Sequence, residues 1–328
     1  MIAAFNDDLQ ISAIACSAAP KRSLGWLKRL TQMGFGLALA FSISVCGSAR
    51  AQDKIWLEPS QSANPASDWY PQAIEIITGE ILEFDATRIT MRTEADPDNP
   101  SFAADRVLWI EPGVSDEKQT LGTELFEQKQ YNESLFALLE ALKARPPIWR
   151  QQWLSMMAAQ AAWRSGRSKI ALELVSQLDR RPLPPLVTAW LPIAWQDGRM
   201  PREALDAAAE RVDDPSPAVR LVAASWLLSS NDRERATETL AALSRDNQRP
   251  GIAKLAEFVL LRTVSPETFS RQTERWQERL DAMPMVLQVG PTLAMIERLK
   301  NAGSSNEAIA KRLELSLRHT PPHPHPDL

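Results

Sequence analysis

The chain has 328 residues, 44% of them hydrophobic and 24% charged, with a net charge of −4. That length holds two domains, or one short domain followed by an extended array, and the composition is that of a chain that mostly folds. Gly is scarce at 12 and Pro plentiful at 24, which argues against a turn-rich all-β protein and fits proline punctuation between helices.

Residues 1–51 read as a secretory signal peptide with a long lead-in. "KRSLGWLKRLTQ" is basic, "MGFGLALAFSISVCGS" is a weakly polar to apolar run, and "ARA" supplies small residues at Ala49 and Ala51. The expected cut leaves Gln52 as the new terminus. The apolar run, Met33 to Ser48, is short for a membrane span, so an uncleaved anchor is the weaker alternative and no stable span is expected after cleavage. Cys46 follows Val45 rather than a small residue, which disfavours lipidation. Both cysteines, Cys16 and Cys46, leave with this segment, so the exported chain has neither disulfide nor thiol chemistry and depends on core burial. The segment carries five Lys/Arg and two Asp/Glu, which leaves 32 against 39 and a net charge of −7. Nothing basic is concentrated enough to neutralise a row of phosphates, so nucleic acid is not an expected partner.

Residues 52–72 are polar and proline-rich and read as a linker, with one short strand at Ile55 to Leu57. From 73 to 113 the texture is β: apolar residues alternate at Ile74 and Ile76, then Ile81, then Ile89 and Met91, with turns expected at Thr78-Gly79 and Asp85-Ala86. Three or four short antiparallel strands are expected. Gly79 and the closing Val107, Ile110 and Glu111 give this module a pattern similar to small SH3-like or Sm-like barrels, a resemblance of shape that implies no activity.

From residue 114 to 319 the apolar period lies between three and four, so the chain is expected to be mainly α. "LGTELFEQKQYNESLFALLEALKARP" carries Leu121-Gly122, then Ser134, Ala141 and Pro146. Small residues at Gly122, Ser134 and Ala141 let two antiparallel helices approach, and Pro146 stops the second. A turn followed by a small or apolar residue recurs at Gly166/Ala171, Gly198/Ala204, Asn231/Ala236, Val264/Phe269 and Gly303/Ala308. The positions Ser134, Ala171, Ala204, Ala236, Phe269 and Ala308 are separated by 37, 33, 32, 33 and 39 residues. The spacing and the first unit resemble tetratricopeptide repeats. "DPSPAVRLVAASWLL", with Asp214, Val219, Arg220, Ala223 and Leu227, resembles a HEAT-repeat helix. The resemblance implies an α-solenoid of about six helix pairs preceded by the small antiparallel β module, and a protein-binding function. Its third unit departs from the pattern, with Pro192 inside the expected first helix.

All three histidines, His319, His323 and His325, fall in the tail "RHTPPHPHPDL", whose residues 320–328 read as disordered. The folded region therefore contains no His and no Cys, which excludes Ser-His-Asp triads, Cys-His pairs and His-based metal sites within it. It also has neither phosphate-cradling glycine motif, so no metal, cofactor or catalytic residue is assigned. Two alternatives stay open: an enzyme using carboxylates of the β module (Glu75, Glu80, Glu83 and Asp85) or an inter-domain cleft, and a purely structural spacer. Trp is abundant, with ten residues after the leader. Trp163 and Trp226 are expected in the core, whereas Trp149 and Arg150 are candidates for partner contact on a binding surface. The sequence thus predicts an exported, non-enzymatic scaffold of the cell envelope that binds a protein through the concave face formed by the first helices of successive pairs.

Overall fold

The computed structural model describes residues 52–59, 74–96, 98–114 and 116–318. The cleavage site expected at Ala49 and Ala51, the histidine tail and most of the expected linker lie outside the described residues. Five strands form one antiparallel sheet: β1 (Asp53–Leu57), β2 (Glu75–Phe84), β3 (Arg88–Arg92), β4 (Ser101–Ala103) and β5 (Val107–Glu111), in the order β4-β3-β2-β1-β5. The segment read as a linker thus supplies an inner strand. β1 begins at Asp53, alternates buried and half-buried residues, and pairs with β2 on one side and β5 on the other. β2 is one strand of 10 residues running straight through Thr78-Gly79, where a turn was expected. Its first half, Glu75–Gly79, pairs with β1 and its second half, Glu80–Phe84, with β3, with a bulge between Ile81 and Glu83.

Beyond the sheet the molecule is mainly helical. The helices are α1 (Glu117–Glu127), α2 (Tyr131–Lys143), α3 (Ile148–Arg164), α4 (Ser168–Leu178), α5 (Pro185–Ala189), α6 (Arg202–Arg211) and α7 (Pro217–Leu227). They continue with α8 (Arg233–Leu243), α9 (Pro250–Val259), α10 (Pro266–Ser270), α11 (Thr273–Asp281), α12 (Val289–Asn301) and α13 (Glu307–Arg318). Local chemistry fixes several starts. Asp116 caps α1 by accepting from the Lys118 amide, and Ser216 caps α7 by accepting from Val219, with Pro217 in the first turn.

The first repeat unit packs through the small residues expected of it. Ser134 is fully buried and donates to the Gly122 carbonyl at 2.7 Å, and Ala141 is buried. A Cβ on Gly122 would meet Leu138 side-chain atoms at 2.8 Å, so only glycine admits this approach of α1 to α2. Leu121 is a correction: it is 42% exposed, because α1 turns Gln119, Gly122 and Phe126 inward instead. α2 already ends at Lys143, and Arg145 adopts a left-handed φ of 52°, so Pro146 follows a terminator rather than acting as one.

Among the later positions, Ala171, Ala204, Val219, Ala223, Ala236 and Phe269 are fully buried. Gly166 has φ 77° and no side-chain neighbour, so it serves the turn rather than packing. Gly198 is exposed with nothing near it and is not a packing position. Arg220 is half-buried between buried Val219 and Leu221. Ala308 is exposed, and Ala310 and Leu313 face the core in its place, because a 3-10 turn at Ser304–Asn306 precedes α13 and shifts its register.

Neighbour-on-neighbour packing runs from α1 to α4 and resumes from α6 to α8, with α4 lying against both α6 and α7. The break between them is α5, a single helical turn followed by an irregular segment to Pro201. Here the expected first helix of the third unit is cut short to α5, which ends at Ala189, three residues before Pro192.

Candidate functional site

Segment 190–197 runs against α3, α7 and α12. Gln160 of α3 donates to the Trp190 carbonyl at 2.8 Å, and Trp226 of α7 donates its indole N–H to the Pro192 carbonyl at 2.8 Å. The Ala194 amide donates to Ser225 Oγ at 3.0 Å, while Arg262, in the 3-10 turn after α9, donates to the Ala194 carbonyl at 2.9 Å. Trp195 lies on Gly290 of α12, where an added Cβ would stand 2.0 Å from the ring. The segment ends at Asp197, which pairs with Arg262 at 3.1 Å and with Arg298, and whose amide donates to Glu297 at 2.9 Å. Burial pushes the Glu297 carboxyl above its ordinary range and Asp197 adds to this, while the Asp197 amide and the two arginines oppose it. Trp190, Leu191, Ile193 and Trp195 are all buried. The segment is thus buried against α3, α7 and α12.

The sheet covers the neighbouring part of α3 and α5. Trp109 of β5 stacks on Trp190 at 5.0 Å and meets Trp153 of α3 at 6.0 Å. Arg150, a candidate for partner contact, is instead an internal bolt of this junction. It is 8% exposed and donates to Asp53 at 2.8 Å, to the Gly113 carbonyl at 2.8 Å and to Gln119 at 3.2 Å. Asp53 also accepts from the amides of Ile81 at 2.9 Å and Gly113 at 2.7 Å. Burial raises the Asp53 carboxyl, against the pull of those two amides and of Arg150. A guanidinium at a helix start looks like surface in the sequence. What places it inside is the buried carboxylate 97 residues away.

Trp149 is buried as well, yet it lines an open groove of about 860 Å³ between the end of β2 and the first turn of α3. One wall carries Leu82 to Thr87 and Thr90, the other Ile148, Trp149 and Gln152 with Arg181 and Pro182. Leu82 is 37% exposed and Ile148 53%. The indole N–H of Trp149 and the side-chain carbonyl of Gln152 are buried without a hydrogen-bond partner. Sequence reading found Trp149 but missed Ile148, Gln152 and Leu82. An aliphatic residue at a helix start carries no signal of exposure.

The β-module carboxylates are spread over separate ion pairs: Glu75 with Arg106, Glu80 with Arg92 and Glu83 with Arg88. Asp85 spends Oδ1 on its own turn, accepting from the Thr87 amide and hydroxyl and the Arg88 amide. Among the described residues no group of three or more His, Cys, Asp or Glu could hold a metal ion, and no helix is long and apolar enough to cross a membrane. Trp226 is fully buried and stacks on half-buried Trp163 at 4.1 Å. No protein-family model, no curated protein and no solved structure matches this chain.

Proposed function

We propose that this chain is an exported, non-enzymatic protein-interaction scaffold of the bacterial cell envelope, released from its leader after Ala51. In this reading the helices form a divergent α-solenoid of about six pairs, tetratricopeptide- and HEAT-like, whose inner face is filled from within. Recognition of the partner protein then passes to the groove beside Trp149. The observation that carries the reading is this groove, where Leu82 on one wall and Ile148 on the other stand exposed. Exposed aliphatic residues lining a concave surface mark a site of association. The carboxylates that an enzyme would need are instead distributed over ion pairs along the sheet.

A photo-crosslinking residue placed at Ile148 in intact cells tests this. One discrete protein adduct is expected from Ile148, and none from Lys169, whose side chain is exposed on α4 away from the groove lining. No adduct at Ile148, or equal adducts from both positions, would overturn the proposal.

A further inference from the structure

We infer that Gln52, once the leader is cut after Ala51, closes on itself as pyroglutamate and seals the end of the chain. This rests on the export reading above and adds a covalent modification that protects the junction between the sheet and α3.

The chemistry is intramolecular. A terminal glutamine holds its α-amine within reach of its own side-chain amide, so the attack needs no second molecule. The neutral amine adds to Cδ and forms the C–N bond of a lactam. The Cδ–Nε2 bond breaks, the proton shed by the amine goes to Nε2, and ammonia leaves. An α-amine titrates at about 7.7–8.0, so part of it is neutral and reactive near physiological pH. The lactam carries no charge.

Two features of the structure leave Gln52 free to react. It stands outside the sheet: the ladder with β2 opens at the next residue, where Asp53 pairs with Gly79, and the ladder with β5 opens at Lys54 and Glu111. Gln52 itself is exposed, on the lining of an open groove that also holds Thr78 and Glu94. Its side chain also gives up little on closing. Nε2 donates to Glu94 at 3.3 Å, a long hydrogen bond between exposed groups that water readily replaces.

The residue behind Gln52 gives the modification its use. Asp53 is 4% exposed, and its carboxylate accepts from the Ile81 and Gly113 amides and from Arg150. An aminopeptidase needs a free α-amine. Removal of two residues from an open end would strip Asp53 and leave the Arg150 guanidinium buried without the carboxylate opposite it. The lactam offers no amine, so trimming stops before it reaches the junction.

The test takes the protein from its own cell envelope, where its end is processed in place, measures its intact mass and sequences it from the amino end. The expected mass is that of residues 52–328 less one ammonia. No sequence should be read until a pyroglutamyl aminopeptidase exposes Asp53 as the first residue. A chain that begins at Gln52 with its full mass, and keeps that mass on incubation at mildly alkaline pH, overturns the modification and leaves the export reading standing. A chain that begins at any other residue overturns the cleavage site and this inference with it. Gln52→Ala cannot cyclise and tests the protection. It should melt as wild type does, then lose residues 52 and 53 to a broad-specificity aminopeptidase and melt lower. The cyclised protein should keep its mass and its melting temperature under the same treatment. Equal resistance of the two proteins overturns the protective role.

Discussion

Ala171, Ala308 and Ala310 differ only in what surrounds one methyl group. Ala171 has no exposed surface and Ala310 only 1%, whereas Ala308 faces solvent. Replacing Ala171 or Ala310 with Phe should cost about 1–3 kcal/mol through overpacking. The same change at Ala308 should stay within about 0.5 kcal/mol. Urea midpoints of the three variants measure this, and a large loss at Ala308 with none at Ala310 would restore the register read from sequence. That register was legible wherever a turn leads straight into a helix, as at Gly166 before Ala171. It failed where an extra turn intervened, because counting from Gly303 cannot register the 3-10 turn at Ser304–Asn306. Small residues revealed close helix approach at Gly122, Ser134 and Ala141, since only size matters there. Leu121 misled because its apolar character agrees with burial, while its position on α1 does not.

At the scale of elements, β1 was read only in part, as a short strand at Ile55 to Leu57 inside a linker, and the segment around Trp195 was expected to be helical. Both are extended, both are flanked by polar or proline-rich sequence, and neither shows a period long enough to read. What orders them is distant: a carboxylate of β1 meets a guanidinium of α3, and carbonyls of 190–194 meet side chains of α3, α7 and the turn holding Arg262. The candidate site was half legible for the same reason. Trp149 was singled out, but the groove also needs the sheet against α3, where Arg150 meets Asp53 of β1 and Trp153 meets Trp109 of β5. Arg150→Met would leave the Asp53 carboxylate buried without its cation, and breaking a buried pair on one side costs about 3–5 kcal/mol. Hydrogen exchange should then rise first in β1 and at the Ile81 and Gly113 amides, which Asp53 accepts, while α8 stays protected. A uniform rise across all helices would mean that sheet and array unfold as one unit, and that the junction is no separate bolt.

The whole molecule integrates these buried charges in its response to pH. Glu58 and Glu297 both lie above the ordinary glutamate range, each mainly through burial. The native state therefore holds a proton on them more readily than the unfolded chain does. Stability is penalised while they are ionised, and the penalty lifts as pH falls through the raised values toward the reference of 4.5. Asp53 acts in the same direction, down to its reference of 3.8. Asp85 acts oppositely, because its carboxyl is lowered and its contribution is lost only below 3.8. The two windows do not overlap, so mild acidification from neutrality should raise the urea midpoint before stronger acid lowers it. An acidic chain also gains from reduced self-repulsion on acidification, which would mimic the effect without any buried group. Glu58→Gln with Glu297→Gln separates the causes. Glutamine keeps a carbonyl to accept from the Met285 and Asp197 amides but cannot titrate. The double variant should be more stable than wild type at neutral pH and flatter toward pH 4.5. An equal slope in both proteins would assign the response to net charge and leave the buried carboxylates without a part in it.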